Sequence, residues 1–308
     1  MPRPEGRRCL VTSASGITVS RLRSGSLLHR FQSALPSGSQ DTAGPANSFC
    51  ILDCVFQEGK NTYYVMDLMC WRGMSFYDCA AEFRLFWVQQ KLAETEGVLD
   101  AACNEGYRFS SVPSCWCSPS GFSAAVRCEV PFVQDGLYLL HMDGYYMPGQ
   151  SPLALLWKDA SCSRYFLDTD GEGNVGEFQQ VTLVYQGDGS LATGDTPPVA
   201  LGRLPEDLQS SLRHKLKAGK LLRCTIREQG IRTEYGQPLS ADLRFEEFAN
   251  QRRGHADTVG KVLFQHNARK GLISHDTVVA ELQEQQRQTS AYDSSTKAMQ
   301  ETEHLQGC

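Results

Sequence analysis

Two features that the sequence lacks limit its possible functions. No apolar run approaches the roughly 18 residues that a membrane-spanning helix needs, so we expect no membrane partner. The 308 residues also lack an excess of positive charge, because the formal net charge at pH 7 is −5. A chain with this charge has no general attraction for nucleic acid. Any contact with RNA must therefore come from a local cluster of basic side chains.

The sequence also lacks the cysteine spacings of a zinc site. It has 12 cysteines but no CxxC pair, since one residue separates Cys115 from Cys117 and three separate Cys50 from Cys54. Structural zinc sites are usually built from such close pairs. Cys54 and Cys70 lie within strand-like apolar runs, which is typical of buried reduced thiols. We therefore expect reduced cysteines in a cytoplasmic or nuclear protein, with no metal and no cofactor.

The pattern of apolar residues predicts an α+β fold with antiparallel sheets. Apolar runs at 49–56 and 63–71, joined by a short polar turn, are typical of a β-hairpin. Apolar residues at helical spacing predict a helix over 78–92, with Asp78 as its N-cap. From Val126 onward, strand-like runs alternate with turn residues such as Asp-Gly. This regular spacing favours antiparallel sheets over βαβ repeats.

Composition divides the chain into three parts. A stretch containing glycine and proline at 194–205 is interpreted as the boundary that ends a main domain at 1–193. Residues 194–284 are predicted to form a smaller β/α extension. Residues 285–308 have almost no apolar content, which predicts a disordered tail.

The predicted extension contains a hairpin and two helices. The hairpin is formed by 221–228 and 230–235, and the helices cover 257–267 and 276–284.

A loop at 168–178 partly matches the calcium-binding loop of an EF-hand. Its twelfth position is Gln179 rather than the glutamate that binds calcium through both oxygens. The residues that follow are strand-like instead of helical. We therefore predict a glycine-rich hairpin turn there and no metal site.

Four arginines form a second group of interest, and they flank a predicted strand and turn near the start of the sequence: Arg7, Arg8, Arg21 and Arg23. A phosphate chain needs a local donor cluster of this kind. A few exposed arginines can equally be an ordinary solvated face. The sequence alone leaves both interpretations open.

Trp157 and Lys158 form a third group, at the end of a strand-like run. A positively charged methylated purine binds well against an indole face, with a neighbouring cation for its phosphate. A tryptophan at the end of an apolar strand is also typical of a hydrophobic core. The residues alone do not decide between the two.

The block at 51–92 carries a resemblance to a known family. It contains LDC, TYYV, MCWRG and FYDC, and similarity continues in CLVTSASG with RSG at 9–25, RFQSALPSG at 30–38, and DGLYLLH with PGQSPL at 135–153. Together these motifs resemble the snurportin family, import adaptors that bind the trimethylguanosine cap of small nuclear RNAs. The similarity covers roughly 7–160.

The resemblance implies a fold and a set of cap-binding residues. The implied fold is a pair of antiparallel sheets with flanking helices and a nucleotide cleft, like the nucleotidyltransferase domain of capping enzymes and ligases. The family's phosphate-contacting lysine falls on Arg23, and Lys158 is a second cation at the site. The family's stacking tryptophan falls on Leu156 in a gapless alignment, with Trp157 one residue later. A β-bulge would return Trp157 to the pocket, and without one Leu156 occupies the position.

Covalent nucleotidyl transfer is not expected, because it needs a lysine nucleophile in a KxDG motif. No KxDG occurs in the sequence, and the corresponding position reads Arg3-Pro4-Glu5-Gly6. A guanidinium stays protonated and cannot attack a phosphate. The alternatives are a guanylyltransferase-like enzyme, an inactive GTP-binding relative, and an interaction scaffold whose pocket no longer binds a cap.

The resemblance also implies partners and a location. These are m3G-capped U small nuclear RNA and its ribonucleoprotein, together with importin-β and an exportin, in the cytoplasm and nucleus. The family's importin-binding helix, and a tryptophan and a serine that contact the methylated base, precede the region matched here. We therefore expect an N-terminally incomplete cap-binding domain in this sequence.

Overall fold

The computed structural model describes residues 1–42, 44–45, 48–149, 151–163, 166–169, 172–235, 237–249 and 255–289. The chain forms two compact units. Unit 1 consists of 1–164 and 273–308, and unit 2 consists of 165–272. Sheets and a few helices make up both units, which confirms the predicted α+β class. Within the described ranges, no helix is both long and apolar enough to cross a membrane.

In the described part of unit 1, ten strands form two sheets. They are β1 (Pro2–Pro4), β2 (Arg7–Ala14), β3 (Ile17–Leu22), β4 (Leu27–Phe31), β5 (Cys50–Gln57), β6 (Thr62–Trp71), β7 (Met74–Ser75), β8 (Arg108–Ser111), β9 (Gln134–Leu140) and β10 (Ala154–Trp157). The larger sheet has the order β4-β3-β2-β5-β6-β7, and β8 pairs with β6 in parallel. The smaller sheet has the order β1-β9-β10 and is antiparallel.

The centre of unit 1 is β6, which is buried along its whole length. Successive side chains of a strand point to opposite faces, so a strand with both faces covered reads as a continuous apolar run. Tyr63 and Val65 face the main core, whereas Tyr64 and Met66 pack with Tyr138 of the smaller sheet. The antiparallel pairing of β5 with β6 confirms the predicted hairpin at 49–71.

Helix α1 (Ala81–Glu94) packs on the larger sheet. The buried side chains recur at helical spacing, and they are Ala81, Arg84, Val88 and Leu92. The prediction of Asp78 as N-cap was wrong, because the helix begins after Ala80 and no side chain caps it. Phe86 is largely exposed, so the apolar face is narrower than the sequence suggested.

A buried ion pair joins α1 to β6. Arg84 donates to both carboxylate oxygens of Asp67, at 2.9 Å each. The same guanidinium donates to the backbone oxygens of Cys79 and Gly144, at 2.5 and 2.9 Å. Burial raises the pKa of Asp67, while these contacts with Arg84 act in the opposite direction. Both charges of the pair are therefore satisfied inside the core.

One region predicted as strand is helical. Helix α2 covers Pro119–Arg127 and so includes Val126, where we expected a strand to begin. The Ser118 side chain accepts a hydrogen bond from the Gly121 N–H at 3.0 Å, and Pro119 occupies the first turn. Ser-Pro is a local helix-start signal that the apolar pattern obscured.

Unit 2 contains a five-stranded sheet. Its strands are β11 (Gln179–Tyr185), β12 (Ser190–Ala192), β13 (Ala200–Arg203), β14 (Leu221–Glu234) and β15 (Gln237–Phe248), in the order β13-β12-β11-β14-β15. Helices α3 (Glu206–Ser211) and α4 (Val259–Lys270) complete it. The predicted hairpin of 221–228 with 230–235 was wrong, because both segments belong to β14, which pairs with β15.

The units divide the chain differently from the predicted boundary at 193 and 194. Strands on both sides of that boundary, β11 and β14, pair over six residue pairs in one sheet. The local glycine and proline content marks loops within unit 2, and pairing of strands distant in sequence leaves no such local signal.

The chain returns to unit 1 after residue 272. A helix covers 275–289, so the first residues of the predicted tail are helical. Residues 290–308 lie outside the described ranges. Residues 170–171, within the loop that resembles a calcium-binding loop, also lie outside the described ranges. Gln179, the twelfth position of that match, begins β11, and its side-chain amide donates to the Val262 oxygen at 2.9 Å.

Candidate functional site

An arginine-lined cavity lies on one face of the β2–β3 hairpin. Leu10 pairs directly with Arg21, and strand alternation places Arg8 on the same face, while Cys9 points into the core. Arg23 follows directly after the end of β3. The three arginines line a cavity of about 170 Å³, together with side chains that include Leu10, Asp53 and Tyr146. Strand pairing thus gathers positive charge that the net composition conceals.

Asp53 organises one wall of this cavity. It is 4% exposed and accepts hydrogen bonds from Arg8 at 3.0 and 2.6 Å and from the Tyr146 hydroxyl at 3.2 Å. Burial alone would lower the pKa of Arg8, but the hydrogen bond and charge of Asp53 raise it overall. Burial and the charge of Asp53 also raise the pKa of Tyr146. Asp53 therefore holds the Arg8 guanidinium and the Tyr146 hydroxyl in place, the first as a cation and the second as a neutral group.

Arg23 differs from the other three arginines because its guanidinium has no hydrogen-bond or ion-pair partner among the described residues. Arg7 pairs with Glu58, Arg8 pairs with Asp53, and Arg21 donates to the Gly25 oxygen at 3.0 Å. Arg23 is exposed and makes no hydrogen bond or ion pair with any residue that the structure describes. Its guanidinium is available to an anion without breaking an existing contact. The structure thus places Arg23 in a cavity suited to phosphate.

Trp157 does not line this cavity. It is 9% exposed, its ring packs edge-on against Phe122 at a centroid distance of 5.0 Å, and its indole N–H donates to the Ile273 oxygen at 2.9 Å. The four residue pairs of β10 with β9 continue without a bulge, so nothing turns Trp157 toward the opposite face. The predicted stacking role is therefore corrected to a core role. Leu156 faces the other side, opposite Tyr138, and is 43% exposed.

Lys158 is also outside the arginine cavity. Its ammonium group donates to Asp135 at 2.6 Å, and the same carboxylate accepts from Ser163 at 2.6 Å and from Arg3. Both partners of the Lys158–Asp135 pair are mostly buried. A phosphate could recruit Lys158 only by displacing this carboxylate. The predicted cap-binding set of Arg23, Trp157 and Lys158 is not brought together in one place.

The Asp135 cluster depends on a close approach of two strands. Gly136 has a φ of +88°, and a Cβ there would lie 2.5 Å from the Trp157 oxygen. Only glycine fits that space and that conformation without strain. Burial lowers the pKa of Arg3, and the charge of Asp135 opposes that shift. Arg3, which the resemblance aligns with the lysine of a KxDG motif, is hydrogen bonded to a carboxylate.

A second and larger cavity lies between α1 and the smaller sheet. Its volume is about 360 Å³, and the residues that matter here are Glu82, Phe86, Gln89, Ser114, Trp116 and Tyr138. Trp116 is 63% exposed and Phe86 is 56% exposed. The Gln89 amide donates to the Ser114 hydroxyl at 3.2 Å. We call this the inter-sheet cavity. The name refers to Tyr138, which lines the cavity and also packs with Tyr64 of the larger sheet.

Three residues that line these cavities were not predicted from the sequence: Tyr138, Tyr146 and Trp116. Tyr146 and Trp116 lie outside helices and strands, where no periodicity marks a residue as facing a cavity. Tyr138 lies in a strand, yet only the pairing partner of that strand shows what it faces. The one local feature was the position of Trp116 between Cys115 and Cys117, in a stretch without strand or helix periodicity.

Residues 1–158, just over half of the chain, match the family model of the Snurportin1 m3G cap-binding domain. The chain belongs to the snurportin family. This confirms the resemblance, and the snurportin domain supports binding of an m3G cap. The arginine cavity and the inter-sheet cavity both lie within the matched snurportin region.

Solved structures that resemble the chain include DNA ligases. Mycobacterial DNA ligase D complexed with ATP and MES is 16% identical, with 80% of this chain and 89% of that chain covered and a TM-score of 0.33. The ligase domain of M. tuberculosis LigD is 15% identical, with coverages of 80% and 87% and a TM-score of 0.32. Likenesses this low carry no argument about the chemistry of this snurportin relative.

Proposed function

We propose that the chain binds the trimethylguanosine cap of U small nuclear RNAs and acts as a nuclear import adaptor for their ribonucleoproteins. The observation that carries the proposal is the arginine cavity, in a chain whose net charge is −5. A cluster of arginines in an otherwise acidic protein indicates a specific anion site. The snurportin-family match supplies the class of anion, the phosphate bridge of a methylated cap.

The geometry divides the arginines of the cavity into fixed and free donors. Arg8 is held by Asp53 and keeps its position, and Arg23 is free to form charge-assisted hydrogen bonds with the bridge. Because Arg8 remains paired, it contributes its field and its fixed shape, while Arg23 contributes direct contacts. Cap recognition then needs no movement of the sheet.

Substitution of Arg23 tests the proposal. We expect Arg23→Glu to weaken binding of a fluorescent m3GpppG cap by roughly 10- to 150-fold, since hydrogen bonds to charged groups contribute about 1.5–3 kcal/mol each. Fluorescence anisotropy measures the dissociation constant. Arg232→Glu is the matched control, because Arg232 is exposed in unit 2 and the substitution changes the net charge equally. Equal affinities of both variants for the cap would contradict the proposed site.

We further propose that the chain is not an enzyme. In place of the lysine nucleophile it has Arg3, whose guanidinium bonds to Asp135 and remains protonated. Incubation with labelled GTP and magnesium should leave no label on denatured protein. A covalent protein–nucleotide adduct would instead favour the alternative of a guanylyltransferase-like activity.

The import role requires partners beyond the RNA. The proposal expects importin-β and an exportin as transport receptors, and residence in both the cytoplasm and the nucleus. An import assay with permeabilised cells tests this role, using m3G-capped RNA as cargo and an uncapped RNA as control. Nuclear accumulation that depends on both the cap and the added protein would support it, and equal accumulation of both RNAs would contradict it.

A further inference from the structure

The sheet of unit 2 curls into a small barrel. It begins with the meander β11-β12-β13, and after α3 the chain returns as β14, which pairs with β11. The two outer strands, β13 and β15, come close together, because a Cβ at Gly202 would lie 2.8 Å from the Leu243 side chain. This arrangement resembles the OB-fold, a five-stranded, partly open barrel that binds oligonucleotides or oligosaccharides. A fold names no ligand by itself, so the charges on its surface have to decide.

The connection from α3 to β14 carries a run of basic residues. Residues 213–220, which we call the basic segment, contain five basic side chains and no acidic one: Arg213, His214, Lys215, Lys217 and Lys220. Arg213, Lys215 and Lys217 are exposed, and their side chains form no ion pair or hydrogen bond with any residue within the described ranges. A group of cations without carboxylates, in a chain whose net charge is −5, indicates an anionic partner outside the chain.

Arginines on the neighbouring strands of unit 2 are arranged differently, because they face carboxylates. Three such pairs join β14 and β15 or lie along β15, with distances of 2.6, 2.9 and 2.7 Å: Arg223–Glu247, Arg227–Asp242 and Arg244–Glu246. Opposite charges this close largely cancel each other's field in salt solution. The basic segment therefore differs from these strands in having positive charge that no carboxylate neutralises.

The backbone of the basic segment is held in place. Leu216 packs against the core of unit 2, and its N–H donates to the Leu212 oxygen at 3.0 Å. The Gly219 N–H donates to the Tyr185 oxygen at 2.8 Å, which fixes the end of the segment to β11. An anion that binds the exposed cations therefore need not first order the chain that carries them.

The composition of the basic segment suits a phosphate backbone. Lysine predominates, and its ammonium group is a point charge that contacts phosphate without the fixed planar geometry of a guanidinium. A nucleic-acid backbone presents a charge at every nucleotide whatever the base sequence, so flexible point charges can follow it.

We propose that the basic segment binds the phosphate backbone of single-stranded RNA, independently of base sequence. The inference goes beyond the proposed cap site, because no residue of the segment lines the arginine cavity or the inter-sheet cavity. It gives unit 2 a binding role of its own, which does not require a cap on the RNA.

The salt dependence of RNA binding tests this proposal. On a single strand, the logarithm of the association constant falls with the logarithm of the salt concentration by about 0.7 per phosphate contact. The triple variant Arg213→Gln, Lys215→Gln and Lys217→Gln removes one contact at each position, so its slope should be shallower by about 2. Fluorescence anisotropy measures the slope with a labelled, uncapped oligouridylate of about 12 nucleotides, a length usual for sites on such barrels.

A second triple variant is the matched control: Arg30→Gln, Arg108→Gln and Arg127→Gln. These arginines are exposed in unit 1, their side chains have no ion-pair partner in the part of the chain that the structure describes, and their loss changes the net charge equally. The control should keep the wild-type slope, and both variants should keep the wild-type thermal midpoint and affinity for m3GpppG. A wild-type slope in the variant of the basic segment, or an equal decrease in the control, would overturn the proposal.

A charged peptide separates RNA from an acidic protein surface as the partner. We expect oligoglutamate of the same length to bind the wild-type protein more weakly than oligouridylate, because RNA releases condensed counterions on binding. Tighter binding of the peptide would assign the basic segment to an acidic protein and overturn the proposal. Wild-type protein that binds m3GpppG but no oligouridylate at roughly 50 mM salt would overturn this inference alone. Binding of oligouridylate without binding of m3GpppG would support it and overturn only the cap-binding function.

Discussion

A shift of one residue separates the core from the surface at the end of β10. Trp157 points into a cluster with Phe122 and Leu137, and Leu156 points away from that cluster. Alignment with a family places residues along the chain, but the face of a strand changes with each step. The stacking tryptophan inferred from the resemblance is therefore a packing residue, and its neighbour Leu156 is the one exposed at the surface.

This assignment predicts opposite effects for neighbouring substitutions. Trp157→Ala should lower the free energy of unfolding by about 3–5 kcal/mol, the usual cost of removing a large buried aromatic ring. Leu156→Ala, at a 43% exposed position, should change it by only about 0.5 kcal/mol. Urea denaturation followed by circular dichroism measures both without depending on tryptophan emission. Similar destabilisation by the two variants would contradict the register of β10.

At the scale of elements, α1 is attached to the larger sheet by a charged contact as well as by apolar packing. Arg84 is 2% exposed and Asp67 is 4% exposed. Removing one partner of a buried pair leaves the other charge buried without a partner, whereas replacing both by apolar groups is often tolerated. The same helix contributes Glu82 and Phe86 to the inter-sheet cavity, so this ion pair also positions that wall.

The ion pair predicts a strong asymmetry between single and double variants. Arg84→Met should lower the free energy of unfolding by about 3–5 kcal/mol. Combining it with Asp67→Leu should recover part of that loss, because no buried charge is left without a partner. Lys91→Met is the control on the same helix, where the more exposed pair with Glu94 should contribute about 0–1 kcal/mol. Denaturant titration of these three variants and of Asp67→Leu alone gives all four values, and additive single effects would contradict the coupling.

The sequence predicted those elements that carry a local signal, such as an apolar run or a turn. The β5–β6 hairpin was predictable, because both its strands carry long apolar runs around a polar turn. The pairing of β11 with β14 was not, since it joins residues about 40 positions apart and no local turn signal connects them. Arg23 was singled out by a motif, whereas Trp116 lies in a loop that meets residues of α1 and β9 only in the folded chain.

At the scale of the whole molecule, unit 1 is built from two separate segments. The Trp157 cluster is completed by Val278, Val279 and Leu282 from the 275–289 helix, and Ile273 supplies the acceptor for the indole N–H. Unit 2 is continuous in sequence and has a core of its own. The residues that close unit 1 therefore follow unit 2 in the chain.

This arrangement predicts a sharp dependence on where the chain is truncated. A variant that ends at Leu272 should lose stability in unit 1, and Trp157 emission should shift to longer wavelength, because its covering side chains and its acceptor are removed. A variant that ends at Thr289 keeps those residues and is the matched control. Thermal unfolding and emission spectra of both variants measure the effect, and identical spectra and midpoints would contradict the role of the 275–289 helix.

The split in unit 1 also sets the time at which it can finish folding on the ribosome. The Trp157 indole and its Ile273 acceptor are separated by 116 residues. At a synthesis rate of about 5–20 residues per second, roughly 6–23 s pass between the two. During that interval the apolar face around Trp157 stays open while all of unit 2 is made. Chaperones that bind exposed apolar surface can therefore bind unit 1 until residue 273 emerges. A ribosome stalled within 165–272 would carry a unit 1 whose Trp157 cluster is incomplete.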